Sequence, residues 1–436
     1  MKFDRFKDFD PEVREAVLHF EREVNGSAAF FDVDELLVVI DYYLEVEDFE
    51  GLEEAVSCGE GLYPNNRDIR LRRAHCLGVN GQCEEAMRIL DQLKSDDPAN
   101  TDVSFAMGAV YSMMGQPGKA IECYLQASAD GFELNMIYGN VADEYYKLGN
   151  REKAIRYYRK AIEIRPNDQH VLHNYACTMD EISADEEAIE YIQSVLEQHP
   201  YSEWAWYTLG CLYMWLNLYE RAADAFKYCL VIDSTLENAY LGLAQSYSSL
   251  KQLGTAVQVM RELLDIIDDR ARVLYLIGSL YFENGNYHTA TVYFRDSIKA
   301  DERYSNGWRG LGMCSEQQGY YDEAAGYYRH AINVAPDIDD NWLSLADLYI
   351  NQSRFREALN LLRSACQQTW DKLPFYQRMC YTLIRLGKRE QAKDLVLNAA
   401  PCDQRAFVDL LTYYPDLIED ADITQFLLQF VDNKHQ

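Results

Sequence analysis

The sequence predicts an all-α fold built from tandem helix-turn-helix units, and three observations carry that prediction. The chain repeats itself every 34 residues, apolar residues within each repeat fall at helical spacing, and small residues recur in register where two helices cross. Blocks beginning at Val33, Arg67, Thr101, Asn135, Gln169, Glu203, Glu237, Ala271, Ser305, Asp339 and Leu373 run over residues 33–406 as eleven blocks of 34, with no insertion or deletion. Their twentieth column is alanine in ten of the eleven, from Ala86 to Ala392, with Leu52 the exception. The eighth column holds Ala, Gly or Cys in every block but the first, where it is Ile40. Tyrosine fills the eleventh column in seven blocks, and the twenty-fourth column is apolar throughout, from Val56 through Tyr158 and Phe226 to Val396.

Taken in order, residues 1–32 hold one expected helix, Pro11 to Val24, opened by Asp10 as N-cap with proline in the first turn. Each block then supplies two helices, as in Tyr138, Val141, Ala142, Tyr145 followed by Ala154, Tyr157, Tyr158, Ala161. Between the two runs lies a turn such as Leu148-Gly149-Asn150, and six blocks keep glycine there: Gly81, Gly115, Gly149, Gly285, Gly319 and Gly387. Glycine suits a left-handed helix terminus. Ala142 and Ala154 let two helix axes approach, while Tyr145 and Tyr158 fill the seam. Pro64, Pro98, Pro166, Pro200 and Pro336 share the thirty-second column and stop the second helix, whereas Pro117 and Pro374 fall in first turns. Residues 407–436 offer two short amphipathic segments, Phe407–Tyr414 and Asp422–Val431, broken at Pro415. Both flanks are too short to be separate domains and are expected to cover the open ends of the stack.

Composition excludes several classes of function. Forty-one basic against 71 acidic residues leave a formal charge of −30, and residues 1–66 alone hold 18 acidic and 5 basic groups. Nucleic-acid backbones and anionic lipid call for the opposite sign. A hydrophobic content of 48% excludes wholesale disorder. The eleven cysteines are an odd number with no C-x-x-C pair, which reads as free thiols in a reducing compartment. Charges interrupt every apolar run of the first 17 residues, and no stretch approaches the 18 apolar residues of a membrane span. A soluble, cytoplasmic chain is expected. No phosphate-binding glycine loop, nucleophile elbow or H-E-x-x-H motif occurs, so no catalytic residues and no cofactor are assigned.

The block pattern resembles the tetratricopeptide repeat. W-x-x-L-G-x-x-Y stands here as Trp206, Leu209, Gly210 and Tyr213, with Ala222 and Phe226 downstream. The first block, with Ile40 and Leu52, and the eleventh, with Cys380, depart from it, as terminal repeats do. The resemblance implies a right-handed α-solenoid of about eleven repeats with short helical caps, organised as an acidic N-terminal cap (1–32), a single solenoid (33–406) and a C-terminal cap (407–436). It also implies that the first helix of each pair lines a concave surface.

Columns 2, 5, 6, 9, 12 and 13 lie on one side of that first helix and avoid the packing columns. Asn140 and Asn174, 34 residues apart, are expected to project side by side and to pair with the amides of an extended peptide, with Thr208 next in the column. Tyr146, His173 and Arg309 fall on the same side of their helices. Trp204, Tyr207, Met214 and Trp215 cluster on one stretch of this wall and suit the apolar anchors of a partner. His170, His173 and Cys177 share a face with a spacing that mixed nitrogen and sulfur zinc ligands also show, but histidines lining a polar groove are commoner, so no metal is assigned. No three successive blocks present the lysine, asparagine and arginine of a chaperone-tail clamp. The function expected is a non-catalytic protein-interaction scaffold that binds a peptide or partner protein in its concave groove. The partner would carry apolar and basic residues, with neither nucleic acid nor membrane insertion involved. A structural module that self-associates through its end caps is the alternative. A metal-dependent or catalytic protein is disfavoured by the missing motifs.

Overall fold

The helices begin where the blocks do, because the same residues that mark each block also start and stop its helices. The computed structural model describes residues 9–24, 31–128, 133–368, 372–398 and 407–429, and every regular element among them is helical. The chain forms two compact units, Met1–Leu218 with Val231–Asp233, and Tyr219–Leu230 with Ser234–Gln436.

In the N-terminal unit, α1 (Pro11–Glu23) precedes five helix pairs and a further first helix: α2 (Val33–Glu45) with α3 (Phe49–Leu62), α4 (Arg67–Val79) with α5 (Cys83–Asp96), α6 (Thr101–Met113) with α7 (Pro117–Ala127), α8 (Leu134–Lys147) with α9 (Arg151–Ile164), α10 (Gln169–Glu181) with α11 (Asp185–Gln198), and α12 (Glu203–Trp215). Side chains of Asp32, Asn66, Asn100, Asp168 and Ser202 cap the first helices by accepting from backbone N–H groups. Asp10 stands at the expected N-cap of α1, yet its side chain makes no capping bond. Val17 and Phe20 of α1 are buried against Leu36, Val39, Ile40 and Tyr43.

The C-terminal unit continues with α13 (Tyr219–Ile232), α14 (Glu237–Ser249), α15 (Leu253–Leu264), α16 (Arg270–Glu283), α17 (Tyr287–Ala300), α18 (Ser305–Gln317), α19 (Tyr321–Val334), α20 (Asp339–Asn351), α21 (Phe355–Ala365), α22 (Leu373–Arg385) and α23 (Arg389–Asn398). It ends with α24 (Leu410–Tyr413), a 3-10 turn at Pro415–Glu419 and α25 (Ala421–Leu428), and Val431, the expected end of the last segment, lies outside the described residues, as does Cys402. Phe407, Leu410, Leu417, Ile423 and Leu427 share a core with Phe375, Leu383 and Val396. The ten described cysteines are all free thiols.

Two columns explain the register. The fifteenth column, between the helices of a pair, has a left-handed backbone each time it recurs: φ lies between 55° and 82° at Glu47, Gly81, Gly115, Gly149, Ser183, Asn217, Lys251, Gly285, Gly319, Ser353 and Gly387. The small eighth column makes room for the twenty-fourth. A Cβ added at Gly108 would come within 2.7 Å of the Tyr124 ring, at Gly278 within 2.6 Å of Phe294, and at Gly312 within 2.4 Å of Tyr328. Glycine sits opposite these three rings and alanine opposite the smaller Leu90, Ile192 and Leu362, while the fourth block pairs Ala142 with Tyr158. In the N-terminal unit the second helices α3, α5, α7, α9 and α11 each pack on the next first helix, and successive first helices also touch (α2 with α4, α4 with α6, α8 with α10, α10 with α12). Those lateral contacts line up α2, α4 and α6, and likewise α8, α10 and α12, as a first-helix face in the N-terminal unit.

Candidate functional site

On this face α2, α4, α6 and α8 enclose a cavity of about 500 Å3. Its floor is apolar: Leu44, Leu71, Phe105, Ala106, Ala109, Met113, Met136 and Ile137. Ala106 and Ala109 leave a hollow that longer side chains would fill. Met113 is 45% and Met136 40% exposed, so the floor presents apolar surface. Asp68, Asp102 and Glu133 stand at the rim, and Asp41 and Arg72 close one side.

Asp41 and Arg72 form a bidentate pair, Nε to Oδ1 at 2.7 Å and an Nη to Oδ2 at 2.6 Å. The pair joins the ninth column of one repeat to the sixth column of the next, 31 residues on. The same offset recurs in the C-terminal unit, where Arg378 grips Asp347 at 2.6 and 2.8 Å. It recurs a third time between Asp143 and Asn174, with a neutral amide in place of the guanidinium: Asn174 Nδ2 donates to Asp143 Oδ1 at 2.9 Å.

A second cavity, of about 400 Å3, opens at this third bridge and is lined by Asn140, Asp143, Glu144, Tyr146, Lys147, His170, Asn174 and Cys177 among others. Tyr158 OH donates to Asp143 Oδ1 at 2.5 Å. Burial, together with the Asp143 charge, pushes the Tyr158 phenol far up, so it is a permanent donor. Glu144 is 2% exposed, and its Oε1 accepts from Ser112 at 2.7 Å and from Lys147 at 2.6 Å. Met136 in the first cavity and Asn140 in the second lie one turn apart on α8, so the apolar and polar hollows adjoin.

The expected site residues lie in four places. Asn140 and Asn174 line the same cavity, but only Asn140 has a side chain with no hydrogen-bond partner among the described residues; Asn174 is committed to Asp143 and also lies 3.1 Å from His170 Nε2. Thr208, next in the column, is buried. Tyr146 lines this cavity too, with its hydroxyl donated to Glu181 and the Arg151 guanidinium 3.8 Å from its ring centre. His173 is exposed, 3.5 Å from Cys177 Sγ. Trp204 and Tyr207 meet edge to face at 5.5 Å on α12, where Trp215 is 39% exposed. Arg309 belongs to the C-terminal unit and is held by Asn306 (3.0 Å), Tyr275 (3.4 Å) and Asp340 (3.4 Å).

No group of three His, Cys, Asp or Glu among the described residues is arranged to hold a metal ion. Burial and the charges of Asp180 and Glu181 raise the Cys177 pKa, which keeps it a thiol. No described helix is long and apolar enough to cross a membrane. The apolar cavity is what sequence reasoning missed. Its signal was present in the third block, whose columns 5, 6, 9 and 13 read Phe105, Ala106, Ala109 and Met113.

Family models match the chain at four places: a tetratricopeptide repeat at residues 136–168, 237–270 and 275–341, and a PPR repeat at 74–97. Among curated proteins, TPR repeat-containing protein MJ1428 of Methanocaldococcus jannaschii is 22% identical over 284 residues, which is 62% of this chain and 42% of the relative. Protein O-mannosyl-transferase TMTC1 of Mus musculus is 26% identical over 110 residues, 24% of this chain and 12% of that protein. The chain thus spans less than half the length of either relative. Among solved structures, yeast Tom70 aligns over 90% of this chain and 97% of its own, at 12% identity and a TM-score of 0.47.

Proposed function

The chain belongs to the tetratricopeptide repeat family, and from that premise we propose that it is a non-catalytic interaction scaffold whose N-terminal unit seats an extended peptide, or an extended segment of a partner protein, on its first-helix face. One observation carries the reading: the apolar cavity of α2, α4, α6 and α8 adjoins a polar one across a single turn of α8. An apolar side chain of the partner buries against Phe105, Met113 and Met136, while Asn140 meets its backbone amides. Trp204 and Tyr207 extend the same face. The reading takes residues 33–406 as the repeat array and both flanks as its caps. The acidic rim and the charge of −30 favour a partner with basic residues.

The test uses the exposed floor. Met113→Glu with Met136→Glu puts two charges where apolar surface is to be covered, without touching a buried side chain. The double variant is expected to melt within a few degrees of wild type and to lose partner capture. A photo-crosslinker at position 136 is expected to trap the partner, and one at Tyr201, 82% exposed on the loop before α12, is not. Equal capture by the double variant would contradict the reading.

Self-association is the second reading. Tyr413, Ile418 and Leu428 leave 69%, 57% and 45% of their surfaces exposed at the C-terminal end. Light scattering on Ile418→Glu with Leu428→Glu tests it: an oligomer that becomes monomeric supports end-to-end assembly, and a wild-type monomer at all concentrations removes it.

A further inference from the structure

Asp143 lacks what its two counterparts have. At Asp41 and Asp347 an arginine from the next repeat covers both carboxylate oxygens and cancels the charge. At Asp143 the corresponding residue is Asn174, whose amide and the Tyr158 hydroxyl both donate to Oδ1 and leave the charge in place. Among the described residues, Oδ2 has no donor within hydrogen-bond distance, and His170 Nε2 stands 3.9 Å away. Resting on the groove reading above, we propose that the cavity beside Asp143 is a seat for one cationic side chain of the bound peptide, a lysine ammonium or an arginine guanidinium, standing where repeats two and eleven place their own arginine.

Glu144 adds a second carboxylate to the wall of this cavity. Glu144 lines this cavity while 2% exposed, and its Oε2 accepts no hydrogen bond among the described residues. Lys147 balances Glu144, so the uncompensated charge of the pocket is that of Asp143. A cation brings donors for Oδ2 and cancels that charge, and Asn140 offers an amide oxygen beside it. A neutral donor leaves the charge uncancelled, and an anion meets two carboxylates. Geometry also sets the spacing. Asp143 lies seven residues beyond Met136 on α8, about 10 Å of helical rise. An extended chain covers that length in about three residues. The peptide therefore carries an apolar residue and a basic residue about three positions apart.

The experiment pans a phage-displayed library of random octapeptides on the full chain as wild type, Asp143→Asn and Asn174→Arg. Wild type is expected to enrich an aliphatic or aromatic residue three positions from Lys or Arg. Replacing that lysine by norleucine in a resynthesised peptide is expected to weaken binding about tenfold or more. Asp143→Asn removes the charge, and Asn174→Arg supplies in cis the guanidinium that Arg72 supplies at Asp41. Both variants are expected to keep the apolar enrichment, to lose the basic one, and to bind lysine and norleucine peptides alike. Asn174→Arg repeats a pairing the fold already makes twice, so the test stands even if Asp143→Asn does not fold. Apolar enrichment without basic preference on wild type, or basic preference surviving in a folded variant, overturns the cation seat and leaves the groove reading intact. Absence of any enrichment on wild type overturns both.

Discussion

Lys251 and Ser353 hold φ near 62° and 59° in the position that six other repeats give to glycine. A side chain there crowds the backbone, at about 1–2 kcal/mol for an ordinary residue. Lys251→Gly and Ser353→Gly should therefore each raise stability by about 0.5 kcal/mol or more, the gain trimmed by glycine's greater freedom when unfolded. Paired denaturation curves check this; a loss of stability in both would mean that local contacts, not φ, decide the turn. The six glycines were legible in the sequence. The left-handed backbone at Glu47, Ser183, Asn217, Lys251 and Ser353 was visible only through the period, because none of those residue types demands it. Asn174 illustrates the opposite limit. It lines one cavity with Asn140, but its bond to Asp143 crosses two repeats and follows from how the helices lie side by side. The ninth-to-sixth-column bridge appears in the sequence only once three examples are seen in space.

Helices and turns were the most legible level, since period, proline and alanine all act locally. The eighth and twenty-fourth columns even carry their mutual packing, glycine beneath Phe294 and Tyr328 and alanine beneath Leu362. The final elements were less legible, being short, and ion pairs supplement their buried apolar contacts. Arg385 reaches Asp416 at 2.6 Å, Arg389 reaches Asp420 at 2.7 Å and Lys393 reaches Asp422 at 2.7 Å, while Tyr381 stacks on Tyr414 at 3.8 Å between ring centres. Burial works to raise the Asp420 pKa, but Arg389 and the N-terminus of α25 outweigh it and hold the carboxyl below its ordinary 3.8. An acid with a depressed folded pKa stabilises above its unfolded value, and that contribution is lost as pH falls through the folded one. Amides of residues 415–428 should thus lose hydrogen-exchange protection below pH 3.8, and in about 1 M salt at neutral pH, before α20 does. In Arg389→Ala the acid-induced change should shrink. Loss of protection in α20 and α25 together, at every pH and salt, would contradict an electrostatic clasp.

Each unit of the whole molecule buries its own core, and the N-terminal one spends part of its first-helix face on two adjoining hollows. Composition bears on the sign of charge that the proposed partner would carry and on nothing finer. The aromatic wall of α12 drew notice because tryptophan and tyrosine are conspicuous, whereas Ala106 and Ala109 make a cavity by being small, a signal that emerges only when neighbouring helices supply its walls. The central claim is that the partner lies on the first helices of this unit. Hydrogen–deuterium exchange of the full chain, with and without a saturating library-selected peptide, tests it most directly. Protection is expected to rise in α6, α8 and α10 and to stay unchanged in α7 and α9. Protection gained in α7 and α9, with α6 and α8 unchanged, would place the partner on the second helices and contradict the claim.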